Sequence, residues 1–183
     1  MHKSLLLFCA AIFCVFSLDA KVQNKKTLSS PSIALHKVSS LFRQERSIIL
    51  EDGSQWSVSS LDIPTFTTWR SGDTISILPN YAWFTSFSYI LVNENNQSRL
   101  QANLEEGPSL FNPACLWVTD MQENHIFLQN GMSFCVAQKD EPLLEYWAIN
   151  DPIIVGTEDS AWTHHPLILI NVNTNEFVRA TQY

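Results

Sequence analysis

Displaced by 78 positions, the chain matches itself without a gap. Gln44-Glu45 falls on Gln122-Glu123, Ile48 on Ile126, Leu50 on Leu128, Gly53 on Gly131 and Val58 on Val136. Asp62, Pro64, Trp69, Asp73 and Ile75 fall on Asp140, Pro142, Trp147, Asp151 and Ile153. Thr85, Ile90-Leu91, Asn93, Asn95 and Ala102 fall on Thr163, Ile168-Leu169, Asn171, Asn173 and Ala180, making 17 identities in the 61 columns from Gln44 to Leu104. Self-similarity of this extent means two copies of one small folding unit, and it constrains architecture before any propensity is weighed. The expected organisation is 1–20 signal peptide, 21–45 basic linker with a short helix, 46–104 first copy, 105–123 linker and 124–183 second copy.

Each copy reads as β structure. Ile48-Ile49-Leu50, Glu51-Asp52-Gly53 and Trp56-Ser57-Val58 in the first answer to Ile126-Phe127-Leu128, Gln129-Asn130-Gly131 and Phe134-Cys135-Val136 in the second. Asp-Gly or Asn-Gly between apolar runs signals a hairpin. A two-residue turn would pair Ile49 with Trp56 and split the shared apolar positions between two faces. A type I turn with glycine in the left-handed region instead pairs Leu50 with Ser54 and Ile48 with Trp56, and gathers Ile48, Leu50, Trp56 and Val58 on one face. A turn over Trp69–Asp73 leads into a third strand from Thr74, and Tyr89–Val92 with Arg99–Ala102 form a second hairpin. The expected fold is mostly β: two tandem, five-stranded, partly open SH3-like barrels, with OB-like barrels or a shared sandwich as alternatives. Trp56, Trp69 and Ile75 are assigned to the core. Asp73 and Asp151 stand in turns, where an aspartate bonds its own backbone.

Ahead of the first copy, Ser30 can cap a helix and Pro31 suits its first turn. Leu35, Val38, Leu41 and Phe42 then make an apolar stripe, predicting a helix over 30–45 that packs as a lid or docks on a membrane or partner. Charge is unevenly spread. Residues 21–46 hold six basic side chains and one acid, whereas 47–183 hold sixteen acidic and four basic. An acidic body repels phosphate backbones and excludes nucleic-acid binding by that body. A basic start at Lys3, twelve apolar positions from Leu5 to Phe16 and a small residue at Ala20 have the layout of a secretory signal peptide. Twelve residues are too few to cross about 30 Å of hydrocarbon, and no second long apolar run follows, so no transmembrane segment is expected in the mature chain. Cleavage would leave Cys115 and Cys135, either bridged, as an oxidising compartment favours, or free.

Leu50-Glu51-Asp52-Gly53-Ser54-Gln55-Trp56, then Trp69-x-x-Gly72-Asp73-x-Ile75-x-Ile77, then Leu91-Val92-Asn93 resembles a module of small exported bacterial proteins. The resemblance implies the fold and export, and assigns no chemistry. The second copy departs from the pattern at Phe134, Asn150 and Pro152.

Candidate chemistry is sparse. His164-His165, with Glu158 and Asp159, concentrates metal-ligand residue types. Adjacent histidines on an extended segment point to opposite sides, and the first copy has Ser86-Phe87 there, so such a site would belong to the second copy alone. Cys135 with His125 or His164 is a second pairing to consider, as a thiol and its base. Phosphate-cradling and hydrolase motifs are missing from the sequence. Two classes of function remain. One is an exported, non-catalytic binding or adaptor protein for an unknown protein or cell-envelope component, needing no cofactor. Its contacts would be Trp83 and Phe84, with Tyr81 and Phe87 plugging the barrel end, and Trp162, His164 and His165 in the second copy. The other is a small metal-dependent or hydrolytic enzyme using His164, His165 and the nearby acids.

Overall fold

A computed structural model describes residues 31–159 and 164–183. The signal-peptide assignment and Trp162 lie outside the described residues. Two closed, six-stranded antiparallel barrels stand in tandem. The first contains β1 (Leu35–Phe42), β2 (Ser47–Leu50), β3 (Gln55–Val58), β4 (Thr74–Pro79), β5 (Tyr89–Asn93) and β6 (Arg99–Glu106). The second contains β7 (Leu116–Gln122), β8 (His125–Leu128), β9 (Ser133–Val136), β10 (Pro152–Thr157), β11 (Leu167–Asn171) and β12 (Glu176–Gln182). Around the first wall the order is β1-β2-β3-β6-β5-β4, and the second repeats it.

Two expectations are corrected here. Residues 35–42 form strand β1, not a helix, and β7 lies within the stretch read as a linker. These are the sixth strands, and by pairing β1 with β4 and β7 with β10 they close barrels expected to be five-stranded and partly open. The physical reason is a β-bulge. Val38 pairs with Leu50 and Leu41 with Ile48, and the register slips between Val38 and Ser40. One extra residue restores the inward phase three positions on, so a bulged strand imitates helical i, i+3 spacing. The second copy does the same: Val118 pairs with Leu128 and Met121 with Ile126, with the slip between Val118 and Asp120. Gln122 pairs with His125 at the end of β7, whereas Gln44 lies in a turn, so the Gln44 identity does not mark structurally equivalent positions.

The Gly53 hairpin has the expected bulged geometry. Ile48 pairs with Trp56, Leu50 N–H donates to the Ser54 carbonyl at 3.0 Å, and Gly53 has φ 89°. Ile126 pairs with Phe134 and Gly131 has φ 83°. Ile48, Leu50, Trp56 and Val58 are all buried, as are Ile126, Leu128, Phe134 and Val136. Trp69 and Ile75 join the first core. Where the first copy uses Gly72 at φ 90°, the second uses Asn150 at φ 72°, a residue type that tolerates the left-handed region. Asp73 accepts from Arg70 N–H at 2.9 Å, and Asp151 from Ala148 N–H at 2.7 Å and the Asn171 side chain at 2.6 Å. Both aspartates are turn-builders.

The barrels lie against each other through β4, β10 and β11. Every residue of β11, and all but the first of β4 and of β10, is buried. A barrel strand facing water would alternate, so both faces of these strands are covered. Ile154, Ile168 and Ile170 of the second barrel complete the hydrophobic cluster of the first. Ala34, just before β1, is buried in the core cluster of the second. Among the described residues no helix is long and apolar enough to cross a membrane.

Candidate functional site

The β4–β5 loop of the first barrel and the equivalent β10–β11 loop of the second meet beside the interface. Asn80 N–H bonds the Ser88 carbonyl at the base of one, and Glu158 N–H the Pro166 carbonyl at the base of the other. From the first loop, the Tyr81 hydroxyl donates to the Glu158 carboxylate. Arg99 reaches Asp159 at 3.6 Å in the same zone. Between the barrels lies a cleft of about 520 Å³, lined on one side by Tyr81, Ser88 and Tyr89. Its other walls include Asp140, Glu158, Phe177 and Arg179, with Lys139, Glu176 and Asn175 also present. That volume lies within the range of small-molecule sites, and an interface between two domains is a usual place for one.

The polar groups are ordered by one another. Arg179 Nε and Nη2 donate to the two oxygens of Asp140 at 2.8 and 2.6 Å, a bidentate pair. Burial alone would raise the Asp140 pKa; the Arg179 bonds and charge outweigh it and hold it below the usual range. Burial, then the bond to Glu158, pushes the Tyr81 hydroxyl well above the usual tyrosine range and keeps it a donor. The rings of Tyr81 and Tyr89 each meet Phe177 edge-on, with centroids 6.5 and 6.3 Å away. Tyr89 also packs edge-on against Trp56 at 5.4 Å, which ties the cleft to the first core.

Of the loop aromatics, Trp83 is 93 % and Phe84 78 % exposed, and they form a mutual edge-on pair at 5.9 Å. Both face outward as expected. Tyr81 does not plug the barrel end: it is 62 % exposed and turns to the second barrel. Phe87 is half-buried. His164 is exposed, while His165 Nδ1 lies 3.0 Å from the Thr181 hydroxyl. Among the described residues no group of three or more His, Cys, Asp or Glu side chains is gathered to hold a metal.

Cys115 and Cys135 are free thiols, correcting the bridge. Cys115 immediately precedes β7, whereas Cys135 pairs with His125, which pairs with Gln122 at the far end of β7. The seven residues of β7 separate those ends by about 20 Å, and a disulfide needs Cα atoms within about 7 Å. Burial, then the charge of Asp52, raises the Cys115 pKa, which disfavours its thiolate.

Tyr89, Lys139, Asp140, Glu176, Phe177 and Arg179 were not singled out from the sequence. One signal was available: Arg179 falls on Gln101, Lys139 on Leu61, Phe177 on Arg99 and Tyr89 on Leu167, among neighbours that the copies share. Comparison of the chain with family models, curated proteins and solved structures gives no match.

Proposed function

We propose that this is an exported, non-catalytic binding protein. Its recognition surface is the inter-barrel cleft together with the Trp83–Phe84 loop beside it. One observation carries the reading: the cleft is where the two copies differ. Of the eleven residues lining it, only Asp140 keeps its identity at the matching position 78 residues away, Asp62. Asp62 and Asp140 do the same structural work, accepting from Gln101 N–H at 2.7 Å and Arg179 N–H at 2.9 Å. The second copy adds a guanidinium to that carboxylate and places it in the cleft. Shared positions build the barrels; divergent ones build the cleft.

The absence of catalysis in this reading is supported by how the charged groups are committed. Arg179 is held by Asp140, and Tyr81 is bonded to Glu158. The Arg179–Asp140 pair contains no nucleophile, and the Tyr81 hydroxyl beside Glu158 is kept protonated rather than activated, its pKa raised. Trp83 and Phe84 supply rigid aromatic surface, the kind enriched where proteins meet partners.

The test is retention from an envelope extract by residues 21–183, comparing wild type with Trp83→Ala/Phe84→Ala. Both side chains are exposed, so each substitution should change stability by no more than about 0.5 kcal/mol and leave the melting temperature essentially in place. Loss of one retained component at unchanged melting temperature supports the loop as a contact surface. Equal recovery of every component by both forms removes it.

A further inference from the structure

We infer that the cleft takes a neutral, hydroxyl-rich ligand, the ring of a saccharide. The inference rests on reading the chain as a binding protein and names the ligand class of its cleft. Tyr89 lines the cleft yet is only 1 % exposed. Its hydroxyl has no hydrogen-bond partner among the described residues. The sealed, unpartnered side-chain atoms among the described residues are Ser47 Oγ and Trp147 Nε1, neither of them in the cleft; the Tyr89 hydroxyl is not among them, and the cleft is the space that its residue lines. A hydroxyl in that position is costly to leave unpaired and calls for a ligand atom. Burial, then the charge of Glu176, raises its pKa, so it remains a neutral O–H that both donates and accepts.

Charge selects against ions. Arg179 and Asp140 neutralise each other, and Glu158 is engaged by Tyr81. Lys139 and Glu176, of opposite sign, then line the same space. The lining sets Asp140, Glu158 and Glu176 against Lys139 and Arg179, so an anion is repelled. A cation would have to displace Arg179 from Asp140 or Tyr81 from Glu158, or settle for Glu176 beside Lys139. A neutral ligand meets only hydrogen-bonding groups. The walls match a sugar in shape as well. The Tyr81 and Phe177 rings form a corner with 67° between their planes, and half-exposed aromatic surface there suits the C–H face of a pyranose. Tyr89, Ser88, Lys139 and Asn175 offer donors and acceptors to its hydroxyl rim.

The experiment is calorimetric titration of residues 21–183 with short neutral oligosaccharides built on glucose, galactose, mannose and N-acetylglucosamine. Tetramethylammonium and inorganic phosphate serve as the charged probes. The expected result is saturable binding of at least one oligosaccharide, weakened roughly five- to tenfold by Tyr89→Phe at unchanged melting temperature. Tyr81→Ala, at a largely exposed position, should weaken it too, while Phe111→Ala, fully exposed and outside the cleft lining, should not. Binding by no oligosaccharide, tighter binding of either ion, or wild-type affinity in both Tyr81→Ala and Tyr89→Phe overturns the inference. If the oligosaccharides fail but retention still depends on Trp83 and Phe84, the binding protein stands and its saccharide falls. If they bind while that dependence is missing, the loop falls and the cleft stands.

Discussion

His36 shows how one side chain can join two barrels. It stands on β1, buried, with Nε2 2.8 Å from the Val155 carbonyl of β10 and Nδ1 3.4 Å from Glu51. A neutral imidazole carries one N–H; spent on Val155, it leaves a lone pair facing a carboxylate. The imidazolium donates to both. Burial alone would lower the His36 pKa, but the Glu51 hydrogen bond, the Val155 carbonyl and the charges of Glu51 and Asp52 raise it above 6.5. For Glu51, burial acts upward, and the His36 bond and charge with the Lys37 and Glu51 amides outweigh it, lowering its pKa below 4.5. The two signs differ. The His36 contribution is full below its unfolded value and is lost as pH rises through the raised value. The Glu51 contribution is present above its unfolded value and is lost as pH falls through the lowered one. The pair therefore stabilises most between 4.5 and 6.5. Thermal melting should show wild type more stable than His36→Gln by about 2 kcal/mol in that window, with the gap closing in alkaline buffer. A gap that stays constant across pH would mean His36 serves by packing alone.

At the scale of elements, the hairpins tell how much could be read in advance. Asp52-Gly53 and Asn130-Gly131 were legible because the turn is local chemistry: only one turn type places four shared apolar positions on one face, and only glycine takes φ near +85° cheaply. Gly53→Val and Gly131→Val should each cost about 1–3 kcal/mol. The first should cost more, since a Cβ at Gly53 would lie 3.2 Å from Ser109 N whereas Gly131 has nothing within 4 Å. Denaturant midpoints of the two variants measure this, and an unmoved midpoint in either removes the left-handed bulge from that copy. Strand β1 was not legible, because Val38 and Leu41 owe their spacing to a bulge that only the partner strand reveals. The cleft was hidden for a related reason. Tyr89 and Arg179 are remote in sequence and converge only when two barrels pack, and no periodicity within one copy encodes that contact. Trp83 and Phe84 were legible as outward-facing aromatics, but Tyr81 was misplaced as a plug because its partner, Glu158, lies 77 positions away.

Duplication alone would yield two beads on a string; here the copies share an interface, and the sharpest difference between them marks it. Leu78 of β4 corresponds to Gly156 of β10. A Cβ at Gly156 would lie 2.5 Å from the Ile77 carbonyl oxygen and 2.8 Å from Ile168 Cγ1. The first of these is backbone within the neighbouring barrel's strand and cannot swing aside. The glycine is therefore required by close approach rather than by its backbone angle, and it lets Ile154, Ile168 and Ile170 reach the first core. Restoring the first copy's residue, Gly156→Leu, should force β4 and β10 apart, expose that isoleucine face and widen the cleft beyond the reach of Tyr81 to Glu158. Each barrel retains its own closed hydrogen-bonded wall, so the damage should fall on the coupling between them. Wild type should unfold in urea as one cooperative unit, and Gly156→Leu as two steps, the first costing about 1–3 kcal/mol or more through overpacking. Hydrogen exchange resolved by residue assigns the steps: the six strands of one barrel should lose protection together while those of the other keep theirs. A single transition at the wild-type midpoint would show that the barrels do not depend on this contact, and that the cleft between them is held by the loops alone.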